Sequence, residues 1–175
     1  MEIDDALNLI RPIPDFPKHN ILFQDITPLL SNAEAFSLIV DQMSECDLES
    51  DYVAGMEARG FIFASAIAKH RNIGFIPIRK SGKLPAQTFS ENYGLEYGTD
   101  TLEIHQDACA PSSHVLIVDD VLATGGTACA AIRLIEKTGA AVTSIAFLLE
   151  IQELQGRSKI LFEFPAIKIQ SLKII

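Results

Sequence analysis

The stretch from Val115 to Thr127 leaves this chain little choice of architecture. It opens with Val115, Leu116, Ile117 and Val118, an aliphatic run without polar alternation, as expected of a strand covered on both faces of a parallel sheet. From Ala128 the apolar period lengthens: Ala128, Ala131, Ile132 and Ile135 share one helical face, and Gly139 follows as a stop. Between strand and helix stand Asp119 and Asp120, then Ala123, Thr124, Gly125, Gly126 and Thr127. Small or absent side chains let the backbone N–H groups of that segment point at one spot. At a helix N-terminus those amides and the helix dipole both favour an anion, so the segment reads as a phosphate-binding loop.

The acids before the loop narrow the kind of phosphate. A P-loop needs Gly-Lys-Ser/Thr and a dinucleotide fingerprint needs Gly-x-Gly-x-x-Gly; the loop contains neither. Two carboxylates beside a phosphate nest repel a nucleoside triphosphate but suit the hydroxyls of a sugar that carries the phosphate. The bland alternative is an ordinary glycine-rich turn. The strand, acid pair and helix in register around the loop weigh against it.

With 175 residues, 48% of them hydrophobic, the chain can bury one full-sized core, and a single domain spanning residues 1–175 is expected. No apolar stretch approaches the ~20 residues of a membrane span. The start, Met1-Glu2-Ile3-Asp4-Asp5, lacks the basic opening of a signal peptide, so a cytoplasmic protein without a membrane partner is expected. Cys46, Cys109 and Cys129 suggest neither a disulfide framework nor a zinc site. His19, His70, His105 and His114 lack metal-ligand spacing, so no metal-ligating residue is assigned. A net charge of −9 argues against nucleic acid as a partner. It also requires that any anion be held by basic groups concentrated locally in a cleft.

Strand and helix patterns alternate along the chain. Residues 2–10 read as a short amphipathic helix, and Pro12, Pro14 and Pro17 then rule out regular helix or central strand, leaving an extended cover. Residues 33–46 read as a helix, Asp51 to Ala54 as a strand, Gly60 to His70 as a helix and Ile73 to Ile78 as a strand. Residues 80–97 read as a long polar loop, Thr99 to Ile104 as a strand, and Ala141 to Leu149 as a last buried strand. The tail from Lys159 to Ile175 holds strand-like pieces without clear placement. Such alternation implies a parallel α/β sheet with right-handed crossovers.

Two further constellations lie at strand ends, where ligands of open parallel sheets collect, and a third lies in the loop that follows them. Glu57, Ala58 and Arg59 precede a helix, giving a second anion site with a guanidinium that can engage phosphate in a bidentate way. Arg79, Lys80 and Lys83 supply a concentrated positive charge after the next strand. The long loop that follows ends in Gly94-Leu95-Glu96-Tyr97-Gly98, and loops of this length are often lids that exclude water. A surface pair for Arg59, a solvated face for the cations and a plain hairpin tip for Glu96 and Tyr97 are the structural alternatives.

The chain resembles the type I phosphoribosyltransferases, and among them the adenine phosphoribosyltransferase family, along most of its length. The resemblance is carried by Phe23-Gln24-Asp25-Ile26-Thr27-Pro28-Leu29, Glu57-Ala58-Arg59-Gly60-Phe61, Arg79 through Pro85, Leu95-Glu96-Tyr97-Gly98 and Val118 through Thr127. Asn20 stands where the family usually has Gly, and Gln24 replaces a common Arg.

The resemblance implies a parallel-core twisted sheet flanked by helices, an N-terminal hood over residues 1–32 and a flexible catalytic loop over residues 80–97. It implies transfer of a phosphoribosyl group from 5-phosphoribosyl-1-pyrophosphate to adenine, with magnesium held mainly by substrate oxygens and water, in a homodimer. Ala123, Thr124, Gly125, Gly126 and Thr127 then hold the 5-phosphate, and Asp119 and Asp120 the ribose. Glu57, Ala58, Arg59, Arg79, Lys80 and Lys83 face pyrophosphate, with a cis peptide expected between Glu57 and Ala58. Leu22, Phe23 and Gln24 read the base, and Glu96 and Tyr97 complete the catalytic set. A 6-oxopurine or orotate enzyme and a non-catalytic phosphoribosyl sensor remain as alternatives.

Overall fold

The computed structural model describes residues 1–95 and 98–175; Glu96 and Tyr97 lie outside the described residues. The chain divides into two compact units, Met1–Gln42 and Met43–Ile175.

The first unit contains α1 (Ile3–Leu7), β1 (Arg11–Ile13), β2 (Phe23–Asp25), α2 (Thr27–Leu30) and most of α3 (Ala33–Ser44). Helix α1 ends at Leu7 with Asn8 as its C-cap, shorter than residues 2–10, and Arg11, before Pro12, is already extended. The proline-rich cover is not wholly irregular. Arg11–Ile13 pairs antiparallel with Phe23–Asp25 in a two-stranded sheet, where a proline costs no inner ladder bond. Asn20 has φ 66°, a left-handed backbone that Asn tolerates better than any other residue but Gly. Asp25 fixes the exit of β2: it lies 2.6 Å from Arg11 Nη2 and accepts the Thr27 N–H at 3.0 Å. The Thr27 hydroxyl and then Arg11 hold its carboxyl down at about 2.

The second unit is built on seven strands, β3 (Tyr52–Met56), β4 (Gly74–Lys80), β5 (Thr88–Leu95), β6 (Gly98–His105), β7 (His114–Leu122), β8 (Ala141–Glu150) and β9 (Lys168–Ile174). Their spatial order is β5-β6-β4-β3-β7-β8-β9. The five strands from β4 to β9 are parallel; β6 runs antiparallel to β4, and β5 antiparallel to β6. Helices α4 (Gly60–Arg71), α5 (Gly126–Lys137) and α6 (Gly156–Glu163) complete the unit. The chain winds from β3 through α4 to β4 in one direction and from β7 through α5 to β8 in the other. Strands β3 and β7 are therefore adjacent at the point where the winding reverses, and the crevice beyond their carboxyl ends is the natural ligand site. Val115 to Val118 are fully buried, as the absence of alternation requires, and Gly139 ends α5 at φ 87°.

Two expectations are corrected. The polar loop over residues 80–97 is largely sheet: β4 runs through Lys80, and β5 pairs with β6 from Thr88↔His105 to Leu95↔Gly98. Phe89, Glu91 and Tyr93 share one face of β5, and the charge at the middle position hides the alternation. Glu91 faces α5 because Arg133 (3.1 Å) and Lys137 (2.7 Å) neutralise it there. In the tail, Lys159 begins no strand. It lies inside α6, whose Ile160 is buried, and only Lys168–Ile174 joins the sheet, beside β8.

Candidate active site

The loop after β7 is a backbone construction. Gly125 has φ 79°, which turns the chain into α5, and a side chain there would stand 2.7 Å from the carbonyl oxygen of Gly156. Gly156, the first residue of α6, lies against the loop from the other side. A Cβ on it would come within 2.2 Å of Ala123 O and 3.0 Å of Gly125 N. A cavity of about 60 Å3 lies inside the loop, lined by Asp119, Ala123, Thr124, Gly125 and Thr127 with apolar groups beneath. The segment predicted to hold a phosphate thus forms the N-terminus of a 12-residue helix, shaped by Gly125 and Gly156.

The opposite bank is built from side chains. The peptide between Glu57 and Ala58 is cis, as expected, and leads into α4. Glu57 collects cations: Lys83 Nζ bonds its Oε1, Arg79 Nε approaches Oε2 at 3.4 Å, and the Lys80 N–H donates to Oε2 at 3.0 Å. Burial pushes the Glu57 carboxyl up, but Lys83, the Lys80 amide and Arg79 together bring it below its ordinary value. Lys80 Nζ lies 3.0 Å from Asp100, and Arg59 Nη2 lies 2.6 Å from Asp120 Oδ2. Each of the four cations singled out from the sequence therefore faces a carboxylate. The answer to the charge problem is a balanced cluster, from which an incoming polyanion can draw cations.

The acid pair joins the two banks. Gly60, the first residue of α4, has no side chain, which lets Asp119 Oδ1 come within 2.8 Å of the place a Cβ would occupy. The same oxygen accepts the Asp120 N–H at 2.9 Å. Burial, and then the charge of Asp120, push Asp119 well above the usual carboxylate range. Burial also raises Asp120, against the pull of Arg59; their close charge contact lacks the alignment of a hydrogen bond. Two carboxyl groups held at such cost respond strongly to positive charge arriving beside them.

Residues 27–170 match the phosphoribosyl transferase domain family. The chain is 52% identical over 167 residues to an adenine phosphoribosyltransferase of Trichodesmium erythraeum, covering 94% of this chain and 96% of the relative. The chain belongs to the adenine phosphoribosyltransferase family. A crystal structure of an adenine phosphoribosyltransferase from Thermoanaerobacter pseudethanolicus is 46% identical and superposes with a TM-score of 0.93, over 99% of this chain and 100% of that one. The Saccharomyces cerevisiae enzyme, complexed with D-2,5-dideoxy-2,5-imino-altritol 1,6-bisphosphate and adenine, is 36% identical, with a TM-score of 0.89 and 97% of both chains covered.

Within this phosphoribosyltransferase, the sequence-predicted residues of the second unit that the structure describes lie at the ends of β3 and β4 and at the end of β7, on two banks of one crevice; Glu96 and Tyr97 lie outside the described residues. In the first unit, Leu22 is exposed, while Phe23 and Gln24 are half-buried on β2; Phe23 meets Phe16 edge-to-face at 5.1 Å between centroids. Sequence reasoning missed three residues: Gly156, which shapes the phosphate loop, and Tyr93 and Asp100, which face each other across the β5–β6 pair. Gly156 lies thirty or so positions beyond the loop, and no local motif marks it. An alternation count over residues 89–93 that tolerated Glu91 locates Tyr93.

Proposed function

We propose that the protein transfers the 5-phosphoribosyl group of 5-phosphoribosyl-1-pyrophosphate to adenine, giving AMP and pyrophosphate. The observation that carries this reading is the meeting of two unlike banks at the β3/β7 switch point, a backbone phosphate loop opposite a cation cluster, with Asp119 and Asp120 between them. A sugar with a phosphate at one end and a pyrophosphate at the other fits that division.

The loop Ala123–Thr127 holds the 5-phosphate through amides and threonine hydroxyls. Asp119 and Asp120 bind the ribose hydroxyls, and their charge stabilises the cationic sugar as the bond from C1 to pyrophosphate breaks. Arg59, Arg79, Lys80 and Lys83 receive the departing pyrophosphate. Adenine N9 attacks C1, Glu96 takes the N9 proton, and Tyr97 completes the catalytic set. The backbone of Leu22 and Gln24 reads the edge of adenine that carries the amine, with Phe23 against its plane. These base and proton roles rest on the family resemblance.

Magnesium, a homodimeric assembly and a cytoplasmic location rest on the same resemblance. Magnesium would be held mainly by substrate oxygens and water, with the Asp119 carboxyl lining the loop cavity beside it. When bound, it would supply charge neutralisation for pyrophosphate. Among the described residues no helix is long and apolar enough to cross a membrane.

The test is AMP formation from radiolabelled adenine, with and without 5-phosphoribosyl-1-pyrophosphate, and against hypoxanthine. Product is expected only with the sugar substrate, and adenine is expected to be preferred by a factor that can reach ~10⁴. Comparable use of hypoxanthine, or no AMP, overturns the reading.

A further inference from the structure

Tyr93 and Asp100 belong to no motif, yet they stand between the two banks. Asp100 Oδ2 accepts the Tyr93 phenol at 3.0 Å and lies 3.0 Å from Lys80 Nζ, while Oδ1 accepts the Thr101 N–H at 2.9 Å. One carboxylate oxygen is thus shared by a phenol and an ammonium group. The Tyr93 ring is buried beside the phosphate loop. Tyr93 is only 7% exposed, and its Cδ2 lies 3.9 Å from the point where a Cβ on Gly126 would stand. The next carbonyl, Gly94 O, lies 3.3 Å from the same point. Burial, and then Asp100, push the phenol up to about 12, so it remains a donor throughout the working range.

A carboxylate oxygen that already accepts a hydrogen bond offers less charge to a second partner and is less free to follow it. We propose that Tyr93 is a positioning residue for Lys80, acting through Asp100: it tethers Asp100 to the phosphate loop and moderates its hold, so that Lys80 can pass to pyrophosphate. The inference rests on the proposed function, in which Lys80 meets pyrophosphate. Lys80 is half-exposed and Asp100 partly so, which keeps the expected effect modest.

The test is calorimetric titration of the intact protein with magnesium pyrophosphate and, separately, with ribose 5-phosphate. Tyr93→Phe keeps the buried ring and removes only the hydroxyl. Asp100, left to Lys80, is expected to weaken pyrophosphate binding about threefold, with ribose 5-phosphate unaffected. In an Asp100→Asn background the same change is expected to have no effect, because the connection is already cut. Lys80→Ala gives a second background with the same expectation and leaves the buried ring untouched. Equal weakening of both ligands marks a merely structural role and overturns the proposal, as does an effect that persists in either background or is absent from all. If the unmodified protein forms AMP and binds pyrophosphate but Tyr93→Phe changes nothing, this inference alone fails; if it does neither, the proposed function fails with it.

Discussion

The two banks of the crevice solve the problem of holding an anion by different physics. The loop after β7 uses backbone amides, a helix terminus and glycines in contact with neighbouring backbone; none of the four motif cations belongs to it, and a nearby cation, Lys159 Nζ of α6, lies 3.5 Å from where a Cβ on Gly126 would stand. The turn after β3 and the end of β4 use long side chains, each already matched to a carboxylate. A backbone site has one shape and tolerates almost no intrusion. A side-chain site is adjustable, screened by salt and robust to single changes. The first suits a group that stays in place through the reaction; the second suits one that must leave.

Gly156→Ala breaks the comparison most severely. Its new methyl group overlaps Ala123 O and Gly125 N, and backbone cannot rotate away as a side chain can. Affinity for ribose 5-phosphate is expected to fall about 100-fold, equivalent to ~3 kcal/mol of displaced loop, while pyrophosphate binding changes little. Titration with each ligand separately reads the difference.

Asp119→Asn acts between the banks. Removing charge beside the sugar is expected to lower turnover by about 10- to 100-fold, with a smaller change in the Michaelis constant for the sugar substrate. Its effect on stability has the opposite sign. The folded-state pKa of Asp119 is raised by burial and by Asp120, so its charged form is penalised on folding. That penalty is present above the folded pKa, shrinks as the pH falls through it, and is gone below the unfolded value. A neutral isostere removes it, and thermal unfolding near neutral pH is expected to shift upward. A lower melting temperature together with unchanged turnover would contradict both halves.

Glu57→Gln has the smallest effect and tests whether the second bank is ionic. Arg79 and Lys83 lose their shared partner, while the backbone of the turn is retained. Pyrophosphate binding is expected to tighten about threefold at low salt, and the gain to disappear at several tenths molar salt as the Debye length contracts. A gain independent of salt would show that a change of shape, not charge, is responsible.

What could be read from the sequence follows the same division. Val115 to Val118, Gly139 and the helix between them follow from local pattern, because a strand buried on both faces and a glycine-terminated helix need no distant partner. The cis peptide at Glu57 and the left-handed Asn20 follow from motif and from the tolerance of Asn. Strand β5 was hidden because its inward Glu91 is made acceptable by Arg133 and Lys137, more than forty residues away. The start of α6 was hidden for the same reason: what demands glycine at position 156 is the carbonyl of Ala123. The pairing of every motif cation with a carboxylate was also invisible, since Asp100 and Asp120 reach Lys80 and Arg59 only through sheet topology.

The division of labour between the banks can be observed directly by following backbone amide resonances during separate titrations with ribose 5-phosphate and magnesium pyrophosphate. Ribose 5-phosphate is expected to move the amides of Thr124, Gly125, Gly126 and Thr127 and to leave those of Arg59, Lys80 and Lys83 in place; pyrophosphate is expected to do the reverse. Both ligands moving one common set of amides, or ribose 5-phosphate moving those of the cation cluster alone, would contradict it.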